Sequence, residues 1–107
     1  MSQFIILFAP GWLRRDMYGE KGSMSALARA NIDLYEQFPV TFATEKTGED
    51  AAEEAFDLTN NPSRDEDRRI AGFVNHRSLS TGDVVRVLQF REPVTEYVCL
   101  SVGWKKL

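Results

Sequence analysis

A chain of 107 residues, 43% of them hydrophobic, is long enough for one hydrophobic core and too short for two, since domains peak at roughly 100–150 residues. Its seven Phe, three Tyr and two Trp exclude a chain too poor in apolar side chains to fold. One Cys and one His leave no intramolecular disulfide and no ligand set for structural zinc, and a net charge of −3 excludes a domain that is basic throughout.

In chain order, Phe4 to Phe8 is a short aromatic and β-branched run closed by Pro10-Gly11, which predicts a strand buried on both faces. The longest apolar run, Phe4 to Pro10, is far below the roughly 20 residues of a membrane span. Its basic residues Arg14 and Arg15 follow it, unlike those of a signal peptide. The expectation is a cytoplasmic, single-domain protein with no membrane segment and no cofactor. Residues 11–23 hold three glycines and an Arg-Arg pair without a clean period, and read as a long, partly irregular loop.

Over residues 23–38, Leu27, Asn31, Leu34, Tyr35 and Phe38 follow spacings of three and four, predicting a helix capped by Ser23 or Ser25. The alternation of Ala30, Ile32 and Leu34 keeps a strand open as the competing reading. After Pro39, residues 40–44 alternate as a strand with Val40, Phe42 and Thr44 on one face.

Residues 47–59 give the clearest helix. Thr47 with Asp50 makes a capping-box-like start, and Glu49 and Asp50 sit where the helix dipole favours negative charge. Its apolar face is Ala52, Ala55, Phe56 and Thr59, expected to pack through Phe56, and its far face carries Asp50, Glu53, Glu54 and Asp57. Asn60-Asn61-Pro62 stops it, asparagine tolerating a left-handed cap. Ser63 is placed to cap a shorter helix over residues 64–70 that Gly72 ends.

Thr81-Gly82-Asp83 is turn chemistry leading into a strand over residues 84–90, residues 91–95 suit a hairpin loop, and residues 97–104 alternate with Val98, Leu100, Val102 and Trp104 on one face. The fold class is therefore α+β: a small antiparallel β-sheet with a C-terminal β-hairpin, packed by one or two short helices.

Phe56-Asp-Leu-Thr-Asn-Asn-Pro62, then Arg77-Ser-Leu-Ser-Thr-Gly-Asp-Val-Val85, then Tyr97-Val-Cys99 and Ser101-Val-Gly-Trp104 form an order that resembles small domains of plasmids, phages and other mobile elements, similar to the YodL-like group. The resemblance covers the second half of the chain. It implies a mobile-element setting and carries over no catalytic residue.

Several motifs invite a chemical reading. Ser78-Leu-Ser-Thr-Gly-Asp83 lacks the glycine spacing and lysine of a phosphate loop, so Asp83 and the hydroxyls of Ser80 and Thr81 read as turn-fixing groups. His76 beside Arg77 suggests a metal-independent nuclease but lacks a second base. Cys99, between Val98 and Leu100, reads as a buried side chain.

Charge divides the chain: residues 47–67 hold eight acids against Arg64, whereas residues 68–107 hold seven bases against three acids. Two interfaces follow. Asp50, Glu53, Glu54 and Asp57 form a candidate surface for a basic host- or element-encoded protein, as in inhibitors of host defence systems. Arg68, Arg69, Arg77, Arg86, Trp104, Lys105 and Lys106 form the alternative, a basic strip with an aromatic platform for nucleic acid. The protein-binding reading leads, without catalysis.

Overall fold

The computed structural model describes residues 2–19, 24–70, 72 and 77–107. Ser23 and His76, named above as a cap and a candidate base, lie outside them.

Strand β1 (Ser2–Phe8) is an interior strand of an antiparallel sheet. It pairs along its length with β4 (Val84–Gln89), which pairs with β5 (Thr95–Cys99), and β5 pairs with β6 (Trp104–Lys106). The other edge of β1 is shared. β2 (Glu36–Gln37) pairs with Leu7 and Phe8, and β3 (Phe42–Thr44) with residues 2–4.

Both faces of β1 are covered, which is why its sequence shows an unbroken apolar run. Phe4, Ile6 and Phe8 join Val85, Val87, Tyr97 and Cys99 on one face. Leu7 joins Val84 and Val98 on the other. Burying each such side chain contributes about 1.5–3 kcal/mol.

Helix α3 (Gly48–Asn60) covers the first face through Ala51, Ala52, Ala55, Leu58 and Thr59. Three alanines at the contact let the helix backbone lie close to the sheet. Phe56, expected to be the packing residue, is only half-buried and lies at the rim. Thr47 occupies the N-cap position but makes no side-chain cap bond; Gly48 N donates instead to Gln89 Oε1 at 3.0 Å. At the far end Asn61 is extended, with φ −91°, so the left-handed cap does not form. Its Oδ1 accepts from Ser63 N at 3.0 Å, making Asn61 rather than Ser63 the cap of the 3₁₀ turn Pro62–Arg64 that opens into α4 (Asp65–Ile70).

The second face is covered by α1 (Gly11–Gly19) and α2 (Met24–Asn31). The loop expected over residues 11–23 is thus largely a helix. Leu13 and Met17, one turn apart, are 0% and 1% exposed, and two buried positions among residues 11–18 leave too little periodicity to read. The helix expected over residues 23–38 ends at Asn31, passes through a 3₁₀ turn (Ile32–Leu34) and enters β2. Leu27 and Tyr35 pack in the cluster on this face while Phe38 lies in the cluster on the opposite face; the chain rounds the sheet edge between Tyr35 and Phe38, so their helical spacing is coincidental. Val40 is exposed and outside β3.

The strand expected over residues 97–104 is two strands. Leu100 N donates to Gly103 O at 3.0 Å, and Gly103 adopts φ +79°, a conformation glycine accepts without a Cβ penalty. The chain therefore reverses, leaving Val102 91% exposed.

Candidate functional site

Two polar constellations stand out, one internal and one on the surface. The internal one is built on residues 77–83. Asp83, at the start of β4, is fully buried. Its Oδ1 accepts from Ala9 N at 2.8 Å and Arg77 Nη2 at 2.7 Å, and its Oδ2 from Ser80 N at 2.9 Å and Arg77 Nη1 at 2.6 Å. A bidentate guanidinium suits a buried carboxylate, because two parallel charge-assisted bonds offset its desolvation. The Arg77 guanidinium also lies 4.7 Å from the centroid of Phe8.

Around this pair the loop is tied to every neighbour. Arg14 Nη2 donates to Ser80 Oγ at 2.8 Å, Tyr35 Oη to Gly82 O at 2.7 Å, and Ser78 Oγ to Thr59 O at 2.8 Å. Leu79 N donates to Thr59 Oγ1 at 3.1 Å. Burial, and secondarily Asp83, raises Tyr35 well above the ordinary phenol range. Asp83 fixes the turn through Ser80 N, as its sequence suggested, but the hydroxyl of Ser80 accepts from arginines instead of bonding an amide. These groups largely satisfy one another, so the constellation joins the 77–83 loop to α1, α3 and the residue that follows β1.

Cys99 is 4% exposed. Burial first, then the nearby carboxylates Asp83 and Glu53, push its thiol up to about 12, far from the thiolate a nucleophile needs. Among the described residues no group of three or more His, Cys, Asp or Glu is placed to hold a metal ion, and no helix is long and apolar enough to cross a membrane.

The surface constellation lies on α3 and α4. Over residues 45–70 nine acids face four bases. Arg64 is its hub: Nη1 lies 2.9 Å from Asp57 Oδ2 and 3.4 Å from Glu54 Oε1, while Nε lies 2.7 Å from Asp67 Oδ2. Hydrogen bonds from Asn61 and then Arg64 hold Asp57 below the usual carboxylate range. Glu53 accepts from Trp104 Nε1 at 2.8 Å. Glu49 and Asp50 are exposed in the first turn of α3.

The four acids read from the helical period therefore do share one face, and three of them are held in position by Arg64 and Trp104. All four arginines of the proposed basic strip are engaged by acids of the same chain. Arg77 is bound to Asp83, Arg86 to Glu96 at 2.8 Å, Arg68 to Asp65 at 4.0 Å and Arg69 to Glu66. Trp104 turns its indole N–H toward the acidic helix, and only Lys105 and Lys106 project as an exposed basic pair on β6.

A cleft that sequence reasoning missed runs between β3 and α3. A cavity of about 350 Å³ is lined by Thr44, Glu45 and Lys46. Beside it, a cavity of about 230 Å³ has Phe4, Phe42 and Leu58 as its floor and Arg64 and Asp67 at its rim. Ala43 and Glu54 line both. Ala43 and Glu54, which line both cavities, are 11 positions apart in the chain, so only packing creates the cleft, and no local pattern announces it. Compared with protein families, curated proteins and solved structures, the chain matches none.

Proposed function

We propose that this protein is a non-catalytic binding module whose acidic α3–α4 face engages a basic surface of another protein. The observation that carries this reading is the Arg64 hub. One guanidinium fixes Glu54, Asp57 and Asp67 on a shared surface, and each carboxylate retains acceptor capacity for a second cation. Side chains already ordered lose less entropy when a partner arrives, and same-sign charge on one face speeds encounter with a basic partner.

The resemblance of the second half to mobile-element domains suggests the setting: an accessory protein of a phage or plasmid, cytoplasmic, that occupies the basic nucleic-acid channel of a host defence protein. The nucleic-acid alternative has weaker support, because four arginines of its strip are engaged by acids of the same chain.

The test compares retention on an immobilised Lys/Arg-rich peptide with electrophoretic shifts of duplex DNA and single-stranded RNA, across ionic strength. The expected result is peptide retention that weakens with salt and no shift of either nucleic acid. A salt-sensitive shift without peptide retention would overturn the proposal in favour of the alternative.

A further inference from the structure

We infer that the cleft between β3 and α3 is the docking groove for an extended, basic peptide segment that adds a strand to the free edge of β3. The inference rests on the binding reading above and gives the partner's segment a conformation and a charge pattern.

β3 pairs with β1 along one edge, and among the described residues no strand pairs with its other edge. An edge of this kind presents backbone groups to any incoming strand. The sheet's other accessible edges are blunted. β6 carries Lys105 and Lys106 within its three residues, which repel a basic strand, and β2 has two residues and is followed closely by Pro39. β3 contains neither lysine nor proline, and at its centre is the small, exposed Ala43.

The cleft beside this edge matches one side-chain chemistry. Its floor is apolar, formed by Phe4, Phe42 and Leu58; its rim bears Glu54 and Asp67 bridged by Arg64, and the neighbouring cavity adds Glu45 and Lys46, so that three acids outnumber two bases along the cleft. Lysine and arginine have the corresponding shape, an aliphatic stem that covers apolar surface and a charged head that reaches beyond it. In an added strand successive side chains alternate between faces. A segment with a cation at every second position would therefore lay each such stem along the α3 side, with its head among carboxylates that Arg64 already shows can hold a guanidinium. The intervening residues would face the side of Gln3 and Ala43, where both are exposed, and are expected to be polar.

The probe is a short peptide of Lys-Thr repeats, titrated into the full chain while backbone amide NMR signals are followed. A second probe of identical sequence and charge is N-methylated at alternate amides, so that one edge cannot form a ladder. The expected result is that the first peptide shifts the amides of Ala43, Thr44 and Lys46 and binds about ten-fold more tightly than the methylated one, as the loss of a few backbone hydrogen bonds implies. Equal binding of the two peptides, with shifts confined to residues 49–57 and 65–69, would overturn strand addition while leaving the acidic-face reading intact. Binding of neither peptide overturns both.

Discussion

With its carboxylate wholly out of water, Asp83 relies on the two backbone N–H groups of Ala9 and Ser80 and on both terminal nitrogens of Arg77. Removing one member of such a pair leaves an uncompensated buried charge, which costs about 3–5 kcal/mol. Arg77→Ala is therefore expected to lower the urea midpoint by that equivalent. Arg77→Lys recovers only part of the loss, because an ammonium cannot make the paired contact. An unchanged midpoint in Arg77→Ala would mean that the ion pair is not structural, and would return Arg77 to the pool of residues available to a ligand. The sequence disclosed half of this arrangement. Asp83 after Thr81-Gly82 announces a turn because its side chain can reach the amide of Ser80. Its dependence on Ala9, 74 residues away, and its pairing with an arginine on the far side of the same loop are consequences of folding that no local pattern carries.

Elements were legible where their burial is periodic and obscure where it is sparse. α3 buries residues at helical spacing, and β1, covered on both faces, shows a continuous apolar run. Among its residues of described burial α1 buries only Leu13 and Met17, and its terminal glycines look like loop punctuation. Its position is fixed by contacts elsewhere. Gly82 packs against Met17 so closely that an added Cβ would lie 2.8 Å from the sulfur, at a backbone φ of +96°. Gly82→Ala is thus expected to destabilise the protein by roughly 1–3 kcal/mol through strain and overpacking. A double-mutant cycle with Met17→Ala separates the two causes in thermal melts, since relief of the clash makes the pair less than additive while the φ strain persists. Full additivity would show that α1 does not press on the 77–83 loop. The break between β5 and β6 was hidden for a different reason. The alternation of Val98, Leu100, Val102 and Trp104 continues across the reversal, although Val102 points to solvent, and only Gly103 marks the turn.

At the scale of the whole molecule, the sheet separates two unlike layers. Helices α1 and α2 lie on one side, and on the other α3 and α4 carry the excess of acid, which over residues 45–70 exceeds the net charge of the entire chain. Charge runs in sequence disclosed this polarity. Whether a run becomes a surface depends on which side chains neutralise one another, and here the basic residues were drawn into pairs while the acids were gathered around Arg64. On the function proposed above, this face, and not the protein's overall charge, binds a basic partner. Two double reversals of equal charge decide it: Glu49→Lys with Asp50→Lys on α3, and Asp16→Lys with Asp33→Lys in exposed positions of the opposite layer. Affinity for a Lys/Arg-rich peptide, measured by fluorescence anisotropy at physiological salt, is predicted to fall about ten-fold or more for the first pair, consistent with roughly 1 kcal/mol per charge contact, and to stay near wild type for the second. Equal losses for both pairs would contradict the claim.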